Sequence, residues 1–477
     1  MTEAFNHKLQ LLCVPQCPRR LITGILLTAL CVNVVWCQTP QTGPILSNRS
    51  AGVSTSRPGN AQTRVLTLDE VLQLAQATAS TYEQAKFTER AAEEDVKQAH
   101  AAFLPRIASQ PTFIYTSPST APLTPGMPRT FSFIGANAIT EYQVVAGAEG
   151  ELDLSGRLRA SLRRNQALLL AAHAGTEVER RNLLLATVES YYGLAVSAAR
   201  RNAAELNLAA STEFEKITTL LEAAGEVAQV DLIRARLGTT SRRDELERSR
   251  AAETIAIEAL RVLIGYDLEQ PLVVPELSIE QPDLAEIERF TSQMIAARPE
   301  LAQLDAQHTA LVEEAKQARA ERWPQISYNI IGGFETDSFH TQALHEHSGV
   351  QATVGISIPI FDWGAKKSRE RQAKYRLQSL ESARLLAIHT FNQQFAESRL
   401  QALSAAERIR LSRAGIADGE RNLEVSIARY RAGEAQIIEV TDAQNTLTSQ
   451  KGALYQAVFD YYVALSHLKQ AAGQALR

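Results

Sequence analysis

The sequence offers few residues that could perform catalysis or hold a cofactor. It contains no glycine-rich phosphate loop, no His-Glu-x-x-His zinc motif and no plausible grouping of Ser, His and Asp for nucleophilic attack. His340, His345 and His347 lie close together, but imidazoles on a loop without a rigid frame seldom form a metal site. We therefore expect no enzyme activity, no cofactor and no metal.

Two carboxylates are more informative because of their spacing. Glu439 and Asp442 are three positions apart, which places them on one face of a helix that would begin after Gly433. A cluster of such groups attracts cations and repels anions. From the residues alone, a simpler explanation is sufficient, since acidic groups in the first turns of a helix favour its macrodipole.

Glycines predict where the helices that carry these residues end. The same Ala-Gly-Glu triplet surrounds Gly225 and Gly433, 208 residues apart. Glycine adopts the left-handed conformation of a helix C-terminus without steric cost. No proline occurs between Gly156 and Gly225, or between Gly364 and Gly433. Each stretch is therefore predicted to be one long helix that ends at a glycine turn.

The chain contains an internal duplication. The segment 94–100 precedes Pro105 as the similar segment 313–319 precedes Pro324, at an offset of 219 residues. Further corresponding pairs are Gly225 with Gly433, Gly265 with Gly473, Asp153 with Asp362, and Gly156 with Gly364. Since the landmarks recur in the same order, we predict two copies of one unit, at 65–265 and 298–473. Residues 266–297 connect them, and 474–477 form a tail.

Two strands are predicted in each copy, at about 106–116, 139–153, 325–334 and 349–360. Apolar residues occupy every even position from Val350 to Ile360, and the even positions from Tyr142 to Leu152 are apolar except Gly150. Alternation over about ten residues is typical of a strand that crosses an outer membrane, although a half-buried soluble sheet alternates too. Four strands cannot close a barrel in lipid, so three chains with twelve strands are expected.

The remaining segments, 156–265 and 364–473, are predicted to be helical hairpins. In the second hairpin, apolar residues recur every seven positions: Ile388, Phe395, Ala402, Ile409, Ile416, Leu423 and Tyr430, then Val440, Leu447, Leu454, Tyr461 and Leu468. In the first, Leu185, Tyr192, Ala199, Leu206 and Leu220 keep this step, and Glu213 breaks it. Heptads predict helices packed side by side. By themselves they also fit an exported coiled-coil scaffold without transport activity.

The N-terminal region, 1–37, is predicted to be a signal peptide. Arg19 and Arg20 precede an apolar stretch that is short for a spanning helix, and an uncleaved anchor is the alternative. All four cysteines lie in this region, so the mature chain would have no disulfide. Lipidation of Cys37 is the minor option because Trp36 is bulky. Residues 38–64 form a flexible lead-in. With 49 basic and 53 acidic residues, the chain gives no indication of nucleic-acid binding.

With these features, the sequence resembles the TolC family of outer-membrane efflux proteins over roughly residues 65–473. The segments that carry the resemblance are Leu66–Glu70, the duplicated Lys-Gln-Ala elements that precede a proline, Phe361–Gly364, Tyr430–Glu434 and Glu439–Gln444. The resemblance implies a fold that is mainly α with membrane β. It implies a homotrimer with a long periplasmic α-helical barrel and a twelve-stranded outer-membrane β-barrel, four strands per protomer.

The resemblance also implies a function and partners. The chain would be a passive exit duct of a tripartite efflux pump or type I secretion system, exporting small molecules such as drugs or metals. Its partners would be a periplasmic adaptor protein, an inner-membrane transporter of the RND or ABC type, and outer-membrane lipid. Energy would come from these partners.

Site residues follow from the same resemblance. Glu439 and Asp442 would form an acidic ring at the periplasmic gate, with Glu439 at a position that is usually Asp. Tyr430 and Asp231 would hold the closed state together as a latch between neighbouring hairpins. Gly225 and Gly433 would form the helix-tip turns. A second, arginine-based link is absent, since Ala435 and Val230 occupy the corresponding positions.

Overall fold

The structure is a computed structural model, and it describes residues 65–78, 80–117, 140–267, 271–277, 281–337 and 339–474. The predicted signal peptide (1–37), the lead-in (38–64) and the last three residues of the tail lie outside the described residues. The described elements are α1 (Leu68–Ala77), α2 (Thr81–Ala101), β1 (Arg106–Tyr115), β2 (Thr140–Leu152), α3 (Arg157–Ala223), α4 (Gln229–Ile264), α5 (Leu284–Glu288), α6 (Pro299–Ala320), β3 (Gln325–Thr336), α7 (Thr341–Glu346), β4 (Ser348–Ser357), α8 (Ala365–Arg431) and α9 (Ile437–Ala471). No helix in these ranges combines the length and apolarity needed to cross a membrane.

The four strands form one antiparallel sheet in the order β1-β2-β3-β4. Because side chains alternate between the two faces of a strand, the pairing register decides which residues share a face. One face is mostly apolar and includes the facing pairs Phe113–Tyr142, Ile107–Ala148, Ala148–Ile330, Leu152–Ile326, Ile326–Ile356 and Tyr328–Val354. The opposite face is mostly polar and includes Gln110, Thr112, Gln143, Glu149, Ser327, Asn329, Gln351 and Thr353.

The strand limits lie close to those expected from the alternation. β3 continues to Thr336, which pairs with Tyr142, two residues beyond the expected end. β4 ends at Ser357 and not at residue 360. Residues 358–360 were expected to continue the strand but do not, because Pro359 has no N–H to donate to a neighbouring strand.

The long helices α3 and α8 each contain 67 residues, which corresponds to about 100 Å. Both begin after a glycine with positive φ, 78° at Gly156 and 82° at Gly364. The Asp153 carboxylate accepts hydrogen bonds from the backbone N–H of Leu158 and Arg159. Asp362 accepts hydrogen bonds from the backbone N–H of Gly364 and Lys366, and Lys366 corresponds to Leu158. The paired aspartates found in the sequence therefore cap the paired helices.

The heptad pattern is confirmed in the second hairpin. Its members are buried or packed against buried apolar residues, and Val440 and Leu468 are fully buried. In the first hairpin, Leu185 and Tyr192 pack against buried apolar residues, but the predicted step is wrong further along α3, since Leu206 is 73% and Leu220 is 71% exposed. Phe214 and Thr218 are buried there, so the contact stripe of α3 follows a different set of positions.

The largest buried cluster lies where α1, the described parts of the connection 266–297 and the middle of the long helices meet. Thr67 and Glu70 form a capping box that fixes the start of α1. Tyr192 of α3 stacks on Tyr462 of α9 with ring centroids 4.3 Å apart. This cluster joins the two hairpins of the chain near the middle of the long helices.

Candidate functional site at the hairpin turns

The two hairpin turns have the same backbone structure. Gly225 has a φ of 77° and Gly433 a φ of 73°. In the second turn the N–H of Gly433 donates to the carbonyl of Tyr430, and that of Glu434 donates to the carbonyl of Arg429. The first turn repeats both bonds 208 residues earlier. A Cβ atom at either glycine would meet no atom within 4 Å. Glycine is therefore required at these positions by the left-handed backbone and not by a lack of space.

A small apolar cluster joins the two hairpins next to these turns. Tyr430 is 4% exposed, and its ring centroid lies 5.3 Å from that of Phe214. Ala235, Ile437 and Val440 complete the cluster. Since the members come from α3, α4, α8 and α9, a displacement of either hairpin must disturb it.

The predicted latch residues are close but not hydrogen-bonded in the single chain. The Tyr430 hydroxyl is buried and has no hydrogen-bond partner within the described residues. Burial raises the pKa of this phenol, the nearby Thr218 hydroxyl acts to lower it, and the Asp231 carboxylate raises it further. Asp231 itself lies 3.7 Å from Arg234. The Tyr430–Asp231 bond therefore remains a prediction.

The two predicted ring residues have different surroundings. Glu439 accepts a hydrogen bond from Arg429 at 3.0 Å and closes a capping box with Gln436 at the start of α9. Asp442, one helical turn further, is exposed and makes no hydrogen bond or ion pair within the described residues. The negative charge of Glu439 is thus locally compensated, whereas that of Asp442 is not.

Sequence reasoning missed Arg429. A signal was available, since Arg429 and Glu439 are equally distant from Glu434 in the middle of the turn, and such residues face each other across a hairpin.

A cleft of about 350 Å³ lies near the turns, between α3, α4 and α9. Arg242 crosses it and donates to the side-chain oxygen of Asn445 at 2.6 Å. The described part of the chain contains no group of three or more acidic, His or Cys residues that could hold a metal.

Comparisons with known proteins agree with this architecture. A family model described as "Outer membrane efflux protein" matches residues 71–266 and 290–474, which together make up most of the chain. The outer membrane protein OprJ of Pseudomonas aeruginosa is 28% identical over 348 residues, which cover 70% of each chain. The pyoverdine export outer membrane protein OpmQ of the same organism is 22% identical over 326 residues, covering 67% of each.

A solved structure shares the fold. The Campylobacter jejuni CmeC outer membrane channel superposes with a TM-score of 0.76 over 85% of each chain, at 17% sequence identity. The fold class predicted from the sequence, long helical hairpins combined with a small membrane sheet, is confirmed. The chain therefore belongs to the outer membrane efflux protein family, and its two-faced sheet and long hairpins are parts of an outer-membrane exit duct.

Proposed function

We propose that three copies of this chain form a passive duct that carries molecules out of the periplasm. Their twelve strands close a barrel in the outer membrane, and their long helices continue it into the periplasm as a helical barrel. An inner-membrane transporter of the RND or ABC type supplies the energy, and a periplasmic adaptor joins the two.

The sheet is the observation that carries this proposal. Its apolar face is open in the single chain, with Ile107 and Val350 each 79% exposed. Its outer strands, β1 and β4, each have one side without a partner strand in the described residues. Lipid does not tolerate unpaired strand edges, so other copies must pair with them. The apolar face then contacts lipid, and the polar face lines the duct.

The hairpin turns are the natural entrance. They lie at the ends of helices about 100 Å long whose other ends adjoin the sheet. Threefold symmetry brings three copies of Asp442 and of the Arg429–Glu439 pair around the axis. In this arrangement Gly225 and Gly433 shape the ends of the hairpins, the acidic groups select for cations, and Tyr430 with Asp231 holds the entrance closed.

The exported molecules are proposed only as a class. OpmQ is named for pyoverdine export and AprF of Pseudomonas aeruginosa for alkaline protease secretion, so the relatives include proteins named for both kinds of cargo. Export of small molecules is the function we favour, because OpmQ aligns over 67% of this chain and AprF over 47%.

Membrane fractionation tests the proposal. The expected result is a protein in the outer-membrane fraction that needs detergent for extraction and migrates as a trimer until heated. In planar bilayers the purified trimer should conduct ions. Release of the protein by osmotic shock, without conductance, would instead support the periplasmic scaffold.

A further inference from the structure

We propose that α2 of each protomer lies in a seat on α8 of the next protomer, with Asp95 and Arg371 paired across the contact. The seat consists of Ser368, Arg371, Gln372, Tyr375 and Ser379. The inference rests on the trimer of the proposed function and adds the surfaces and the register by which the copies meet.

A contact inside the chain serves as the template. α6 of the second copy packs on α3 of the first. Arg164 lies 3.5 Å from Glu314, and a Cβ atom at Gly175 would lie 2.9 Å from the Gln303 amide. The facing stripe of α3 is buried and small here, with Ala160, one turn before Arg164, and Ala167 and Ala171, between the two points, no more than 5% exposed.

The duplication predicts that this contact recurs between protomers. α6 corresponds to α2 at an offset of 219, and α3 corresponds to α8 at an offset of 208. The side-chain contacts repeat as well, since Lys97 binds Glu94 at 2.7 Å and Lys316 binds Glu313 at 2.6 Å. The partner of α3 is therefore present in the chain as α6, whereas the equivalent partner of α8 must be α2 of another copy.

The exposure of α2 supports this assignment. Ala310, Glu313 and Ala320 of α6 are buried. Their counterparts Ala91, Glu94 and Ala101 on α2 are exposed. Phe87, on the same side of α2, is 57% exposed. The face that α6 buries against its neighbours is therefore also present on α2, where it is exposed in the single chain.

The seat on α8 is found where the template predicts it. The counterparts of Ala160, Arg164, Ala167 and Ala171 are Ser368, Gln372, Tyr375 and Ser379. All four are exposed, and with Arg371 and Arg376 they line a surface depression of about 570 Å³. The side of α8 that faces α6 carries Arg369 and Arg384, which bind Glu321 and Asp305. Arg376 lies at the edge between the two sides, since it lines the depression and binds Glu314 of α6 at 2.7 Å.

Charge complementarity fixes the register. Transferring the facing pair Arg164–Glu314 by the two offsets places Gln372 opposite Asp95, with Arg371 one residue away. Neither Asp95 nor Arg371 has an ion-pair partner within the described residues. As in the template, the long helix supplies the cation and the short helix the anion.

Disulfide trapping tests the register directly. The transfer places Ser379 opposite Thr88 of the next protomer, and both are exposed hydroxyl residues. The full-length chain carrying Thr88→Cys and Ser379→Cys should form a covalent trimer under mild oxidation, because each protomer supplies one cysteine to each neighbour. The matched control combines Ser379→Cys with Gln98→Cys, on the same exposed stripe but about 15 Å further along α2. It should give no covalent trimer.

This experiment distinguishes failure of the proposed contact between α2 and α8 from failure of the proposed function. A detergent-extracted trimer in which the Gln98 pair links, or neither pair links, would overturn the seat while the duct stands. Absence of any trimer before oxidation would overturn the proposed function. A second measurement does not depend on cysteine geometry.

Asp95→Lys should lower the temperature at which the trimer dissociates, and adding Arg371→Glu should restore that temperature. If the added change does not restore the temperature, the ion pair is contradicted.

Discussion

His173 on α3 lies 2.7 Å from the carboxylate of Glu89 on α2. The second copy contains the same contact with the residue types exchanged, since His308 on α6 lies 3.4 Å from Glu381 on α8. Glu89 corresponds to His308 at the 219-residue offset, and His173 corresponds to Glu381 at the 208-residue offset. The duplication therefore persists in contacts even where the residue at each position has changed.

This contact predicts a pH dependence. Burial acts to raise the pKa of Glu89, but hydrogen bonds from His173 and Thr176 and the charge of His173 outweigh it and hold the pKa below its ordinary value of 4.5. Because the folded state favours the carboxylate, the contact adds stability above about pH 4.5 and loses it as the pH falls further. Thermal unfolding should therefore depend less on pH below 4.5 in Glu89→Gln. Glu424→Gln, which removes an exposed carboxylate on α8, should retain the dependence of the parent.

The left-handed backbone of the hairpin turns predicts that replacing their glycines lowers the stability of the fold. Gly433→Ala should destabilise the protein by about 1–2 kcal/mol, because an L-residue is strained at the φ of 73°. Denaturant unfolding measures this change. Gly452→Ala is the matched control, since this helical glycine has no atom within 4 Å of a new Cβ and alanine is the better helix former. Equal effects of the two substitutions would mean that the turn does not need a left-handed residue.

The acidic groups predict opposite changes in ion selectivity. Asp442→Asn should reduce the preference of the channel for cations, whereas Glu439→Gln should have a smaller effect because Arg429 already compensates that charge. Arg429→Gln should increase the cation preference by releasing Glu439. Reversal potentials across a salt gradient measure all three. If none of the variants differs from the parent, the acidic ring does not line the ion path.

Removal of the Tyr430 hydroxyl is expected to affect the gating of the channel but not the stability of the fold. Within the described residues this buried group has the Thr218 hydroxyl nearby but no hydrogen bond of normal geometry, so Tyr430→Phe should change the stability of the fold little. In the assembled channel it should raise the open fraction if the hydroxyl binds Asp231. Asp231→Asn should then have a similar effect, and the double variant should add little to either. Fully additive effects on single-channel recordings would contradict the latch.

Local chemistry in the sequence was enough to predict the duplication, the two faces of the sheet and the glycine turns. Alternating side chains specify the faces of a strand, and only glycine adopts the φ of Gly225 and Gly433 without strain. The heptads of the second hairpin succeeded for the same reason, because a regular repeat defines one stripe along a helix.

Tertiary structure decided which of several possible partners each residue meets. The heptad step included Leu206 and Leu220, yet both are exposed, because this part of α3 meets its neighbours through a different stripe. That stripe contains Asn207, Ser211 and Phe214, which contact Thr448, Thr239 and Tyr430. Asp231 has Arg234 at 3.7 Å, and Glu439 has Arg429 at 3.0 Å. Sequence spacing limits which side chains can meet, but the choice among charged neighbours within reach depends on how the helices are placed against one another.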